Sequence, residues 1–440
     1  MWRRLSSECR SLVLTLLVFG CGVVAGGLAG CSQPESSVVQ KEMPDNAAPS
    51  DADASVPMVT VELSDYERTK MPATQVFWNA KAIARVSAPP LGLPAIVVPE
   101  DNPLTVSKIE LGRKLFFDRR LSANNTMSCA ICHIPEQGFT NNELATPIGV
   151  EGRSLKRNAP TVLNVVYQDL LFHDGRAVSL EDQATKPLLA REEMANPSAE
   201  ALIEKISGMA DYDGMFEAAF DGGPTVERIA QAIASWERTL VVGDSAFDRW
   251  HYGEDAKALT PEQQQGYQLF TGKAGCATCH TIGEKSALFT DQQYHNTGIG
   301  YLRDEVERNA TEPVEVEIAP GVSVPVERAT IASVGDPPAA DLGRFETTKQ
   351  ETDRWRFKTP SLRNVAVTAP YMHDGSMQSL EDVVQHYNQG GAKHGGLDPR
   401  IRPLDLTDAE VAALVAFLES LTSNNLEELK ADARSVPVGN

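Results

Sequence analysis

Two short cysteine and histidine motifs constrain this chain more than any other feature. The first reads Cys129-Ala130-Ile131-Cys132-His133 and the second reads Cys276-Ala277-Thr278-Cys279-His280. In such a motif the two thiols attach a haem covalently, and the following imidazole binds the iron as its proximal ligand. The sequence therefore predicts two c-type haems, one with His133 and one with His280. A zinc site shared by both cysteine pairs is the alternative, although zinc needs no His directly behind each pair.

The amino terminus has the pattern of a secretory leader. Basic residues precede an apolar run from Leu12 to about Val24, and small residues follow at 28–30. With Cys31 these small residues resemble a bacterial lipobox, in which the Cys becomes the lipid-modified first residue of the mature protein. We expect a periplasmic protein that meets a membrane only through lipid on Cys31. One membrane-spanning helix is the alternative, but the run is short and glycine-rich for that role.

Cysteine usage and charge agree with export. Of seven Cys residues, two leave with the leader, Cys31 carries lipid and four attach haem, which leaves no thiol for a disulfide. The formal net charge of −20 makes nucleic acid a poor partner. An acidic surface attracts a basic electron-donor protein, although it often serves only solubility.

Helix signals recur near both haem motifs, whereas strand patterns are scarce. Capping boxes are predicted for the pairs Ser107 and Glu110, Thr260 and Gln263, and Thr407 and Glu410. One helical face is predicted for Ile229, Ile233, Trp236 and Leu240. A strand alternation occurs between Val314 and Val326. The expected fold is mainly α, with two cytochrome c-like domains whose haems occupy much of the core.

A second pair of segments repeats at a constant offset of 200 residues. The segment His173-Asp174-Gly175, with Ser179-Leu180-Glu181-Asp182 behind it, recurs as His373-Asp374-Gly375 and Ser379-Leu380-Glu381-Asp382. A duplicated haem domain explains both pairs of motifs. We expect a signal peptide at 1–30, a flexible tether at 31–75, haem domains at 76–255 and 256–425, and a tail at 426–440. The longer second copy predicts an insertion at about 300–350.

The helix behind each repeated Ser differs between the copies at one position that matters to iron. Tyr387 falls on the inward stripe of the second helix, and the offset places Pro187 opposite it. Proline has no donor atom, so only the second iron can take a sixth ligand from this helix. A phenolate oxygen is a known haem ligand, which makes Tyr387 the candidate. The alternatives are a packing role for Tyr387 and ligation by His386, Met377 or His373.

The first copy carries polar groups where the second is apolar. Gln183 occupies an inward position, and Glu193 follows shortly after. An open haem with a carboxylate overhead suits peroxide chemistry, because a base must move a proton between the two peroxide oxygens. Glu193 is otherwise a solvated charge beside Glu192.

With these motifs the chain resembles the bacterial di-haem cytochrome c peroxidase and MauG family over roughly residues 100–422. The resemblance implies a peroxide haem, an electron-transfer haem and a calcium ion between two α-helical domains. It assigns Gln183 and Glu193 to the distal pocket of the first haem. It assigns calcium to Asn158 and to the carbonyls of Thr368 and Pro370, since oxygen ligands suit a hard cation.

Three positions refine the resemblance. Tyr387 is typical of MauG-like members, whereas ordinary peroxidases carry Met there. No His lies between Ile134 and Phe172, where the peroxidases carry a distal His, and this favours an open first haem. His173 stands where the family usually has Trp between the haems, and His carries an oxidising hole poorly.

The expected function follows from these positions together. The enzyme reacts hydrogen peroxide at the open first haem and exchanges electrons with an exported redox protein or protein substrate through the second. A di-haem cytochrome that only relays electrons is the alternative.

Overall fold

The computed structural model describes residues 61–307, 312–319, 321–328, 330 and 341–434, together with a two-residue strand at Val13–Leu14. This part of the chain is mainly helical, which confirms the expected fold class. The longer helices are Ala73–Ser87, Val106–Phe117, Leu180–Leu189, Ala199–Ser207, Val226–Glu237, Pro261–Thr271, Leu380–Asn388, Asp408–Glu419 and Leu426–Ala433. The shorter ones are Asp65–Thr69, Cys129–Cys132, Met215–Phe220, Ala246–His251, Ile299–Tyr301 and Phe345–Thr348.

Strands are few and form only two-stranded antiparallel pairs in the described chain. Val314–Ala319 pairs with Val322–Val326, which confirms the strand pattern predicted within the insertion. Tyr294–His295 pairs with Phe357–Lys358, and Val13–Leu14 pairs with Val61–Glu62. The fold therefore depends on helix packing rather than on a sheet.

Two helix crossings form the frame of the molecule. In the first, a Cβ atom at Gly112 would overlap the carbonyl oxygen of Ala232. In the second, a Cβ atom at Gly266 would overlap the carbonyl oxygen of Ala413 in the same way. Each helix ahead of a haem motif thus meets a later helix backbone to backbone, because glycine leaves room for the approach.

An aromatic trio fills each crossing. Ring centroids of Phe116 and Trp236 lie 4.4 Å apart in the first domain, and those of Phe270 and Phe417 lie 5.0 Å apart in the second. The third members are Phe139 and Phe289, and all six side chains are buried. The packing is therefore duplicated together with the haem motifs.

Helix starts agree with the sequence at two of the three predicted capping boxes. Thr260 and Thr407 form their capping boxes, and Ser179 and Ser379 cap the helices behind them. The prediction for Ser107 is wrong. Thr105 caps the Val106–Phe117 helix instead.

A carboxylate from another helix explains the error at Ser107. The Ser107 hydroxyl and its backbone N–H both donate to Glu67, at 2.6 and 2.8 Å. A second predicted helix is shorter than expected. The Val226–Glu237 helix stops before Leu240, although Leu240 is buried as expected.

The folded region extends further than the predicted domain limits. Within the expected tether, Asp65–Thr69 is a capped helix, and Glu67 is buried. Within the expected tail, Leu426–Ala433 is a helix that packs into the core of the first domain. Across the described ranges no helix has the length and apolarity to cross a membrane. The expected leader and Cys31 lie outside the described residues, apart from Val13–Leu14.

The end of the insertion is tied to the first domain by charge. Arg157 donates two hydrogen bonds of 2.8 Å to Asp341, and its third nitrogen lies 2.7 Å from Asp174. Burial alone would raise the pKa of Asp341, but the hydrogen bonds and charge of Arg157 hold it at about 2. Such a bidentate pair is geometrically specific, so it fixes this end of the insertion against the repeated His-Asp-Gly segment.

Candidate haem centres

The two motif histidines have matching environments. The Nδ1 atom of His133 lies 3.3 Å from the carbonyl oxygen of Phe139, and that of His280 lies 2.8 Å from the carbonyl oxygen of Phe289. An Nδ1–H group that donates to a carbonyl fixes the tautomer and leaves Nε2 for a metal. Burial lowers the pKa of both imidazoles, so both are held in the neutral form that can bind iron.

The cysteine pairs are placed for separate haems. All four thiols are free of disulfides. Cys129 and Cys132 pack against the first core, whereas Cys276 packs against the second. The described residues also bring Cys279 within 4.8 Å of Asp291 and His295, but that thiol belongs to the second haem motif. A zinc ion shared by both pairs does not fit this arrangement.

Buried donors near His133 fit a haem on independent grounds. Trp236 Nε1 is buried without a hydrogen-bond acceptor, in a ring layer where Phe116 lies 6.3 Å from His133. One guanidinium nitrogen of Arg238 is buried in the same way. Unpaired buried donors are rare in folded proteins, and the anionic propionates of a haem are acceptors. The first centre therefore suits a haem by its polar groups as well as by its motif.

Glu193 lies beside the first haem motif. Burial raises the pKa of its carboxyl group, and the neighbouring Arg176 opposes that rise. In addition to burial, the negative charge of Glu193 raises the pKa of the Cys132 thiol. The Glu193 carbonyl accepts a hydrogen bond of 3.0 Å from the N–H of Val150, so the turn is held in place.

Gln183 and Pro187 share one face of the Leu180–Leu189 helix, because they are four residues apart. Gln183 is half-buried. The Pro187 carbonyl accepts a hydrogen bond of 3.2 Å from Met194, the residue behind Glu193. The chain thus folds back so that the turn carrying Glu193 meets the helix carrying Gln183.

Tyr387 lies beside the second haem motif. Burial, and after it the thiols of Cys276 and Cys279, raise the pKa of its phenol. The rival ligands have other contacts. His386 Nε2 lies 3.2 Å from the carbonyl of Thr297, and His373 stacks on Phe357 with ring centroids 3.5 Å apart. The half-buried Met377 pairs through its backbone with Tyr371. Ligation by Tyr387 stays a prediction that this placement favours.

The two repeat-related histidines are joined through Asn158. The Nε2 atom of His173 lies 3.0 Å from the carbonyl oxygen of Asn158, and the N–H of Asn158 donates to the His373 carbonyl at 2.7 Å. Burial, then the charges of Arg157 and His373, lower the pKa of His173 to about 3. His173 is therefore neutral at neutral pH.

The predicted calcium residues lie where the two domains meet. The Asn158 amide donates to the Ala145 carbonyl at 2.9 Å, which leaves its Oδ1 as the side-chain oxygen for a cation. Thr368 follows a helical turn and packs against Gly138 of the first domain. Pro370 follows it after a cis peptide bond. Calcium binding here stays a prediction.

Comparison with known proteins decides the family. Residues 106–256 match the family model for di-haem cytochrome c peroxidase. The methylamine utilization protein MauG of Methylorubrum extorquens is 36% identical over 325 residues, which cover 73% of this chain and 80% of MauG. This chain belongs to the di-haem cytochrome c peroxidase family. The family resemblance seen in the sequence is thereby confirmed.

Further relatives agree with this assignment. Cytochrome-c peroxidase IdrP1 of Denitromonas iodatirespirans is 37% identical over 340 residues, covering 76% of this chain and 86% of the relative. A solved MauG-like protein associated with microbial copper homeostasis is 31% identical, with a TM-score of 0.64 and coverage of 77% and 96% of the two chains. Like these di-haem cytochrome c peroxidases, the chain is an oxidoreductase, and the family implies two haems.

Glu237 is a further residue at the first centre, and the sequence analysis did not predict it. It is 5% exposed, and one carboxylate oxygen has no hydrogen-bond partner. Burial raises its pKa to about 8. Its carboxylate is among the charges that act on the Cys129 thiol. In the sequence it follows Trp236 like any surface Glu on a helix, so only the packing shows that it is enclosed.

Proposed function

We propose that this di-haem cytochrome c peroxidase reacts hydrogen peroxide at the centre of His133 and exchanges electrons through the centre of His280. One observation carries the proposal. At matching positions behind the two repeated Ser residues stand Pro187, which has no ligand atom, and Tyr387, which lies beside Cys276 and Cys279. The helix behind Ser179 would therefore offer no ligand to a haem iron held by His133, whereas Tyr387 would offer one to a haem iron held by His280.

Glu193 moves the proton at the first centre. A haem attached at Cys129 and Cys132 and bound by His133 supplies an iron that binds peroxide and accepts its oxidising equivalents. The carboxylate of Glu193 takes a proton from the near oxygen of peroxide and returns it to the leaving oxygen. Its burial favours proton uptake, because the charged form is poorly solvated. Gln183 orients the peroxide by donating an amide hydrogen bond.

Tyr387 sets the character of the second centre. A phenolate is a hard anionic ligand that favours ferric over ferrous iron, so a haem held by His280 and Tyr387 would have a low reduction potential. Electrons that enter here come from an exported redox protein or protein substrate. His173 lies between the centres, where a neutral imidazole limits the speed of charge sharing.

The setting of the enzyme is part of the proposal. The leader and lipobox pattern support a periplasmic protein anchored by lipid on Cys31. The oxygen groups of Asn158, Thr368 and Pro370 support a calcium ion between the domains. The relatives named cytochrome-c peroxidase support hydrogen peroxide as the oxidant.

Electron paramagnetic resonance of the ferric protein tests the asymmetry. We expect one high-spin haem and one low-spin haem in equal amounts. Tyr387→Phe should remove the low-spin signal or alter it as a neighbour takes over, because phenylalanine has no ligand atom. His386→Gln is the matched control, and it should leave the signal unchanged.

Two outcomes count against the proposal in different ways. An unaltered low-spin signal in Tyr387→Phe excludes this ligand. Two low-spin haems in the parent exclude an open peroxide site and favour an electron relay.

A further inference from the structure

A cavity of about 350 Å³ lies in the second domain, away from both haem motifs in sequence. Trp355 forms part of its wall, together with Asn296, Arg354 and Gly396. The volume is at the lower end of the range for ligand pockets and accommodates an aromatic ring. The cavity is therefore large enough for one small aromatic molecule next to Trp355.

Trp355 belongs to a cluster of three oxidisable or polarisable rings. Its ring centroid lies 5.3 Å from that of Tyr301 and 5.5 Å from that of His394. Tyr301 and His394 stack with centroids 4.3 Å apart. The backbone holds Trp355 in the left-handed region at φ 56°, and its N–H donates to the Leu342 carbonyl at 2.9 Å. A bulky residue is rarely held there, so the position of this indole is closely determined.

Trp355 and Phe357 both pack around Gly300. Gly300 has no side chain, and a Cβ atom there would lie 3.0 Å from both the Phe357 ring and the Trp355 side chain. Phe357 in turn stacks on His373 at 3.5 Å. His373 is linked through Asn158 to His173. Packing around Gly300, the Phe357–His373 stack and main-chain hydrogen bonds of Asn158 thus connect the cavity with the two repeat-related histidines.

Asp304 is positioned to accept the N–H proton of the Trp355 indole. The Nε1–H group of Trp355 donates to an Asp304 carboxylate oxygen at 3.2 Å, and Asp304 is 8% exposed. Loss of an electron makes an indole strongly acidic, so a carboxylate in hydrogen-bond contact accepts the proton as the electron leaves.

We propose that Trp355 is a redox-active residue that passes electrons from a phenolic donor in the cavity to the peroxide-oxidised haem pair. The inference rests on the proposed peroxide reaction. Peroxide takes two electrons and two protons to become two water molecules. Each electron leaves the Trp355 indole as its N–H proton moves to Asp304. A phenol in the cavity then gives one electron to the indole as Asp304 returns the proton, and the phenol loses its own proton to water and leaves as a phenoxyl radical. Two phenols thus supply the two electrons, and water carries the two protons to peroxide.

The test is freeze-quench electron paramagnetic resonance of the holoprotein after mixing with hydrogen peroxide, with guaiacol as the phenolic probe. The parent should show a tryptophan radical that decays faster when guaiacol is present. Trp355→Phe should lose this signal, whereas the matched control Trp78→Phe should keep it. Asp304→Asn retains the ring and should shift the signal toward a protonated radical, because an amide is a poor proton acceptor.

The outcomes separate this inference from the proposed function. If peroxide changes the haem absorption of the parent but Trp355→Phe keeps the same radical, Trp355 is not the site and the peroxide reaction stands. If guaiacol leaves the lifetime of the radical unchanged, the donor role of the cavity is overturned. If the parent haems do not respond to peroxide, both the function and the inference fail.

Discussion

The two haem domains share the same helix crossing and differ in the side chains around it. Each has a glycine crossing, at Gly112 in one and Gly266 in the other, and each has a buried aromatic trio next to its motif histidine. The helix behind the repeated Ser carries Pro187 in the first domain and Tyr387 in the second. Packing that binds a haem is duplicated, so specialisation is confined to a few side chains around it.

The difference also concerns buried charge. The first centre holds carboxyl groups whose pKa is raised by burial, at Glu193 and Glu237. The second centre holds the phenol of Tyr387 beside its thiols. A group with a raised pKa near an open iron is suited to moving protons, whereas an anionic oxygen is suited to holding iron in one oxidation state.

Of the changes that test this difference between the domains, Glu193→Gln should have the largest effect on the rate of the peroxide reaction. Without a group that accepts the proton, the peroxide-induced change in haem absorption should slow by about 10²- to 10⁴-fold. Stopped-flow absorption measures the rate. Glu192→Gln is the matched control, because Glu192 is exposed and carries the same charge, and it should react at nearly the parental rate. Equal rates in the two variants would remove Glu193 from the mechanism.

The variants Gly112→Ala and Gly266→Ala should show whether the two helix crossings are packed equally tightly. Each added methyl group overlaps a carbonyl oxygen of the crossing helix, so overpacking should cost about 1–3 kcal/mol in the free energy of unfolding. Denaturant unfolding of the holoprotein, followed by circular dichroism, measures the loss. Gly395→Ala is the control, because its Cβ would meet nothing within 4 Å. A large loss in only one domain would contradict equal packing.

The pH dependence of the peroxide rate should follow the protonation of Glu193. A base works only when deprotonated, so the peroxide rate should fall as the pH is lowered through the pKa of Glu193. Burial raises that pKa above its ordinary value of 4.5, so the decline should begin at a higher pH than for a solvated carboxylate. Stopped-flow rates over a pH series measure it. A Glu193→Gln variant with the parental pH profile would assign the titration to another group.

Calcium removal should give the smallest effect. The predicted ligands are one amide and two carbonyls, so water must meet much of the ion's charge and binding should be moderate. Chelation should then alter the haem spectra or the peroxide rate without unfolding either domain. Metal analysis before and after chelation is the control. Identical behaviour after verified calcium loss would show that the contact between the domains needs no ion.

Local sequence patterns predicted several helix starts. Gln183 lies on the Leu180–Leu189 helix and Tyr387 on the Leu380–Asn388 helix, each behind its repeated Ser. Thr260 and Thr407 cap their helices because the capping box is a local pattern. The capping prediction for Ser107 is wrong because a distant residue outweighs the local pattern. Its polar groups are satisfied by Glu67, a residue 40 positions earlier in the chain.

The sequence by itself determined the two Cys-x-x-Cys-His motifs, the duplication and the difference between Pro187 and Tyr387, because each is a matter of residue identity and spacing. The tertiary structure alone decided which carboxyl groups are buried and which rings meet. Glu237 and Trp355 acquire their character from residues distant in the chain, through desolvation in one case and through Tyr301 and Asp304 in the other. Burial and non-local contact arise only when the chain is packed, so no local pattern carries them.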